Sequence, residues 1–268
     1  MTTKDVATQK PAGSNLPISQ DLADQLAGLS GLGFGNATME DYALPFLHVL
    51  QKMSPEVDKA DPKYVEGAEP GMLMNSVTQE LFDGAAGIIV IPVEFQKAFN
   101  IWVPRNSGGG FKGTGSTRDE AAQKQAALVE SGFDKPTDIV DTSNHYILMR
   151  SKDGKLDAIV LSCTSTKMKA SRSWMSLMAR VTINGKPAPM FAKKYALSTI
   201  SQKNDKGTFF NIKAEVIDGA DGWVSKDELA AALEFHKQLK AGKRGADFSQ
   251  VDEVDGPLSP VTGEEVAF

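Results

Sequence analysis

The chain has 268 residues, 41% of them hydrophobic, with 29 Lys and Arg against 34 Asp and Glu, a formal charge of -5. That length and apolar content suffice for one large or two small domains with a proper core. A single cysteine, Cys163, excludes an internal disulfide and a cysteine metal cluster. With no apolar run long enough to span a membrane and no secretion signal in the polar start, a reducing cytoplasm is the expected compartment.

In chain order, residues 1–17 lack any hydrophobic period and are expected to form a loose arm. Ser19 caps a predicted helix from Gln20 to Leu29 with Leu22, Leu26 and Leu29 on one face, and Gly31, Gly33 and Gly35 close it. The apolar run Tyr42–Met53 follows, and Pro45 confines any helix in it to a start near that residue. Ser54–Pro70, with Pro55, Pro62, Gly67 and Pro70, is expected to be a loop. Met72–Val77 is a predicted strand, and Asp83-Gly84 a turn. Gly87–Phe95 is rich in β-branched residues and reads as a buried strand that continues through Val103. On that alternation Trp102 faces opposite to Phe99, Ile101 and Val103, either into a groove or beneath the next helix.

Gly108, Gly109, Gly110, Gly113 and Gly115 surround Phe111 and Lys112. The spacing formally matches a dinucleotide fingerprint, but the chain after it lacks the strand–helix alternation of that fold. A mobile loop carrying Phe111 and Lys112 at its tip is the expectation. Thr117 and Glu120 form a capping box for a helix to Ser131. Asn144–Ser151 and Leu156–Cys163 are two strands of a hairpin turned at Asp153-Gly154, and Ser171–Val181 is a helix with Trp174 on its apolar face. Pro189–Ser201 and Thr208–Ile217 form a second hairpin in which Phe209 and Phe210 face opposite ways, so one can stack while the other is buried. Ser225 and Glu228 box the start of a last helix, which ends at Gly242.

Charge is distributed unevenly along this plan. Leu161–Lys213 holds ten basic residues (Lys167, Lys169, Arg172, Arg180, Lys186, Lys193, Lys194, Lys203, Lys206, Lys213) against Asp205 alone, with Trp174, Phe191, Tyr195, Phe209 and Phe210 interleaved. Cations that track phosphates and rings that stack on unpaired bases are what single-stranded nucleic acid requires of a groove. From Ala246 onward come six acids, Asp247, Asp252, Glu253, Asp255, Glu264 and Glu265, no base, and a terminal Phe268. With no apolar period and with Gly256, Pro257, Pro260 and Gly263, residues 246–268 are expected to be disordered.

A basic, aromatic-bearing β region followed by an acidic tail that closes in Glu264-Glu265-Val266-Ala267-Phe268 resembles the single-stranded DNA-binding proteins of bacteria and bacteriophages. Asp41–Pro45, Tyr64–Ala68 and Pro104–Phe111 are also similar to phage replication-module proteins. The tail departs from the bacterial pattern, which has a denser acid run and a Pro before the Phe. The resemblance implies an α+β chain built on an antiparallel, OB-like β-barrel, one domain over 18–245, with added helices. It also implies sequence-independent binding of single-stranded DNA in phage replication or recombination. Candidate contacts on the strand are Trp102, Arg105, Phe111, Lys112 and Tyr146, then Lys167, Lys169 and Arg172, then Lys193, Lys194, Tyr195, Lys203, Phe210 and Lys213. Glu264, Glu265 and Phe268 would dock a polymerase, helicase or primase, and the tail would compete for the groove. Homo-oligomers are compatible with this reading, and membrane association is not expected.

Catalytic residues, metal ligands and cofactors are not expected. His48, His145 and His236 stand apart from one another and from any metal motif, and Cys163 lies in an apolar strand. Two alternatives stand beside the DNA-binding expectation: a structural or transcription-associated phage adaptor whose basic face meets an acidic protein, and a nuclease whose residues converge from distant positions.

Overall fold

The computed structural model describes residues 19–30, 32–33, 35, 44–104, 107–205 and 207–248. Arg105, Lys206 and the tail positions Glu264, Glu265 and Phe268 lie outside them. The chain divides into two units, Met1–Asp41 and Tyr42–Phe268. In the first, α1 (Gln20–Gly28) begins where expected, with the Leu22 N–H donating to the Ser19 hydroxyl, and none of its residues is buried.

The second unit mixes helices with antiparallel sheets. A small sheet has the order β1–β2–β3: Leu47–Val49, Leu73–Asn75 and Leu81–Phe82. The main sheet is built on β4 (Ile88–Trp102), a single 15-residue strand. One edge of β4 pairs along its length with β6 (Asp138–Arg150), which pairs with β7 (Leu156–Thr164). The other edge carries β5 (Phe111–Gly115) at one end and β10 (Tyr195–Asn204) at the other, with β11 (Gly207–Val216) beyond β10. A two-stranded ribbon, β8 (Thr182–Ile183) and β9 (Lys186–Pro187), stands apart. Helices α2 (Arg118–Glu130), α3 (Lys167–Ala179) and α4 (Lys226–Lys240), with short 3-10 turns at Pro55–Val57, Met190–Ala192 and Ala220–Gly222, complete the described elements.

The expected barrel does not close among these strands. β7 and β11 end the hydrogen-bonded path and are not paired with one another. The segment from Pro45 to Gln51 contacts both. The Val160 N–H of β7 donates to the Pro45 carbonyl (2.9 Å), and the Gln51 side-chain amide both donates to the Phe210 carbonyl (2.9 Å) and accepts from the Phe210 N–H (2.8 Å). One side-chain rung takes the place of a strand, because β1 is three residues long and Pro45 has no N–H for a ladder. The apolar run Tyr42–Met53 contributes this short strand and, among its described residues, no helix.

Period-two alternation supplies the main sheet with two cores. Ile147 and Met149 of β6 and Ile159, Leu161 and Cys163 of β7 pack with Trp174 and Met178 of α3 and with Tyr195 and Leu197 of β10. Tyr146 and Leu148, with Val160, face the opposite way and meet Ala232 and Phe235 of α4, together with Phe46, Trp102 and Phe248. A third, small cluster of Leu50, Ala68 and Met74 belongs to the small sheet. Gly71, at φ +94°, admits the Phe210 ring so closely that a Cβ there would lie 2.6 Å from it.

The glycine-rich segment is the clearest difference in secondary structure from the expectation. Phe111–Gly115 is a paired strand rather than a mobile tip, and the Val103 N–H donates to the Gly110 carbonyl at 2.9 Å. Glycine at position 115 is required by packing, since a Cβ would sit 2.5 Å from the Ala121 nitrogen of α2.

Candidate functional site

A β-bulge in β4 decides where its side chains go. The register with β6 shifts between Pro92 and Glu94, so two residues there oppose one on the partner. Before the shift, the odd-numbered Ile91 shares a face with Leu148. After it, the even-numbered Glu94 lies opposite Tyr146 and Trp102 opposite Asp138. Trp102 thereby joins the α4-side core at 4% exposure, edge-on to Phe111 at 5.4 Å. Phe95, Lys97 and Phe99 take the other face, where Phe95 meets the His145 ring at 5.1 Å and the Lys97 ammonium lies 5.6 Å from the Phe99 centroid.

Three candidate stacking residues are therefore corrected. Trp102 is a core residue. Tyr146 is 2% exposed, donates to Gln96 Oε1 at 2.7 Å and accepts from the Ala246 N–H. Tyr195 is fully buried, edge-on to Trp174 at 6.0 Å. Each is more favourable in the core because a ring buries a large apolar area at little cost in rotamer entropy. Phe111 is half-buried against the same aromatic cluster as Trp102, while Lys112 is exposed with its ammonium 5.1 Å from the Phe133 ring.

The basic candidates separate into two groups. Lys193 and Lys194 turn toward α4: the Lys193 ammonium sits 4.9 Å from the Trp223 ring, and Lys194 pairs with Glu228 at 3.4 Å, its side chain 19% exposed. Lys213 is exposed and paired with Glu215 at 2.8 Å. Lys203 is exposed on β10, opposite Thr208.

The second group converges. Ser165, whose φ of 47° is left-handed, turns the chain from β7 into α3. The first turns of α3 then carry Lys169 and Arg172 to the wall of a groove of about 760 Å³. Across it stand Arg118 of α2, Asp138 and Asp141 of β6, and Phe209 and Gln202 of the β10–β11 hairpin. Arg118 Nη2 is 2.6 Å from Asp141 Oδ1. A smaller groove of about 330 Å³ adjoins it, sharing Ser165, Thr166 and Phe209 and adding Lys167, Thr208 and Phe210. Asn211 ties the two elements together, its amide donating to the Thr166 carbonyl (3.2 Å) and to Gln202 Oε1 (3.0 Å).

Of the sequence candidates, Lys167, Lys169, Arg172 and Phe210 are gathered here. Arg118 and Phe209, with the strip Phe95, Lys97 and Phe99, were not selected from the sequence. Phe210 turns its ring to the α3-side core, and Phe209 lines both grooves. The hairpin alternation held the signal for that pair without saying which ring faces out.

Chemically, the grooves offer cations and a flat ring to an extended anionic ligand. Among the described residues no group of three His, Cys, Asp or Glu is placed to hold a metal ion. Burial pushes the Cys163 thiol up to about 12, which leaves it uncharged near neutrality. His145 is buried, stacked on Trp174 at 4.7 Å, with its Nε2 2.7 Å from the Ser171 hydroxyl, and desolvation pushes it down to about 4. No helix among the described residues is long and apolar enough to cross a membrane.

An open antiparallel sheet with a helix on each face, and a groove of mixed charge at one end, defines the class of α+β protein to which this chain belongs. Residues 14–245 match the family described as Pam3 phage gp34-like protein, and the chain belongs to that phage protein family. No curated protein and no solved structure matches it.

Proposed function

We propose that the chain binds single-stranded DNA without sequence preference, along the paired grooves between α3 and the β10–β11 hairpin. The observation that carries this reading is the placement of Phe209 between the two grooves, with Lys169 and Arg172 on the wall of the larger one and Arg118 held by Asp141 across it. Cations there take phosphates and release counterions, while Phe209 offers a face to an unstacked base. Asp138 and Asp141 limit how much phosphate the larger groove attracts, which favours a thin, flexible strand that can thread between like charges over a stiff duplex. The phage family agrees with a role in phage DNA replication or recombination. In this reading the acidic residues Glu264 and Glu265, with Phe268, engage a replication protein.

The test is fluorescence anisotropy of a labelled oligo(dT) titrated with the full chain at low and high salt, beside a duplex of equal length. Tight single-strand binding that weakens with salt, with weak duplex binding, is expected. No single-strand binding at low salt refutes the proposal.

A further inference from the structure

The edge of β4 that faces away from β6 is interrupted. β10 pairs with it up to Val90 and β5 from Phe99 onward, so among the described residues no strand pairs with Glu94–Ala98 on that edge. A cavity of about 530 Å³ lies there, between β4, the first turns of α2 and the chain that leaves the end of α4. It shares no lining residue with either groove beside α3. Its volume falls within the roughly 300–1,000 Å³ typical of small-molecule sites.

Two polar groups in its lining lack partners. Arg244 is half-buried, with its guanidinium 5.3 Å from the Phe235 ring and its Nε buried without a hydrogen bond. No carboxylate among the described residues pairs with it, and burial pulls its pKa below the ordinary value. A guanidinium drawn out of water without a counter-ion is costly, and stacking on a ring holds it ready for an anion. Asn144 is 1% exposed, and its amide oxygen accepts no hydrogen bond. A buried acceptor in that state calls for a donor from a ligand.

The remaining charges set the kind of anion. Glu94 lies 3.0 Å from His236 Nδ1 and 3.1 Å from Lys240 Nζ, and Glu120 accepts from Lys124 and Ser116. With Lys97 and Arg244, the lining holds four cations against these two carboxylates. That excess suits a phosphate monoester, which carries about −1.5 to −2 at neutral pH, better than a single carboxylate. Ala98, Leu239 and Phe248 add apolar surface that a flat base can cover and a bare sugar phosphate cannot.

We infer that this cavity binds a nucleoside monophosphate, with the phosphate on the Arg244 guanidinium and a base N–H on the Asn144 oxygen. The guanidinium offers phosphate two parallel N–H bonds, and the exposed Lys97 and Lys240 add to the attraction. The inference does not depend on the single-strand reading.

Isothermal titration calorimetry of the full chain with dAMP, whose base carries an exocyclic amine, tests it. Saturable binding is expected. Deoxyadenosine and deoxyribose 5-phosphate, each missing one half of the ligand, should bind about 10- to 100-fold more weakly. Arg244→Gln, which breaks no ion pair in the ligand-free chain, should weaken dAMP by a similar factor. Phe209→Ala, in the other grooves, should leave dAMP affinity unchanged. Absence of saturable dAMP binding at millimolar concentration overturns the inference, as does undiminished binding by a folded Arg244→Gln chain. Deoxyribose 5-phosphate that binds as tightly as dAMP overturns it by removing the base contact. A loss in Phe209→Ala overturns it by moving the nucleotide to the α3 grooves. Should Arg244→Gln not fold, the comparison of dAMP with its two halves decides.

Discussion

Glu228 joins three parts of the molecule through one carboxylate, and removing it should be costly in a way that the geometry specifies. Its side chain is 6% exposed, accepts from Arg150 Nη2 at 3.0 Å and lies 3.4 Å from Lys194 Nζ. It also accepts from the Ser225 N–H at 2.8 Å, while its own N–H donates to the Ser225 hydroxyl at 3.2 Å, completing the capping box of α4. In Glu228→Ala the bond from the Ser225 N–H is lost, which costs about 1 kcal/mol, while the backbone N–H at 228 still reaches the Ser225 hydroxyl. The Lys194 ammonium, mostly buried, is left without its counter-ion. Breaking a fully buried pair costs about 3–5 kcal/mol, but Arg150 is 55% exposed and rehydrates, so the electrostatic part falls to about 1–2 kcal/mol. The total is about 2–3 kcal/mol, and at about 2–4 °C per kcal/mol for a chain of this size Tm should fall by about 4–12 °C.

Urea unfolding followed by circular dichroism measures this change directly, and adding Lys194→Met to Glu228→Ala should recover about 1 kcal/mol by removing the orphaned charge. Burial by itself raises the Glu228 carboxyl, yet the Ser225 N–H, Arg150 and Lys194 outweigh it and hold it below its ordinary value of 4.5. A depressed carboxylate stabilises the fold above its unfolded pKa, and the contribution is lost as pH falls through the folded value. Wild type and Glu228→Ala should therefore converge in stability in acid. A loss under about 1 kcal/mol at neutral pH, or a gap that does not close in acid, refutes the assignment of Glu228 as a buried tie.

Phe209→Ala should weaken single-strand binding by about 1–3 kcal/mol, roughly 5- to 150-fold in Kd, with little change in the urea midpoint. Phe210→Ala, which empties a space against Gly71 and the α3-side core, should do the reverse and cost about 3–5 kcal/mol of stability. Equal effects on binding from the two would remove Phe209 from the site. His145, neutral in the core with a value pushed down to about 4, must take up a proton when the chain unfolds below its ordinary 6.5. Its contribution is intact above that value and fades as pH falls from about 6.5 to 4, by up to about 1.4 kcal/mol per pH unit. The stability–pH slope in that window should flatten in His145→Gln, and an unchanged slope would assign it to other groups.

Local chemistry was enough to place most elements. Ser19, Thr117 and Ser225 each accept from a backbone N–H at the start of a helix where the sequence indicates a cap, because capping needs only a short side chain within three residues of the amide. The two long hairpins and the single strand through Gly87–Val103 follow from alternation and from β-branched composition in the same way. Alternation separates two faces of a strand but does not say which one a helix will cover. Parity alone sets Trp102 opposite Phe99, Ile101 and Val103 and leaves both a groove and a core open to it; the bulge at Pro92–Glu94, which no residue type announces, puts it on the face that α4 covers.

The glycine run has the same lesson. Residues 111–115 are strand because the long β4 offered an open edge beside α2, a partner that their own composition does not reveal. Lys193 and Lys194 look like their basic neighbours in sequence, yet Trp223 and Glu228, distant in the chain, take them away from the groove. The sequence by itself determined the capped helices, the strand pattern and the segregation of charge, since each depends on neighbours a few residues apart. Only the tertiary structure decided which rings are buried, which cations are already paired and where the ladder stops, since each of those is settled by contacts between residues far apart in the chain.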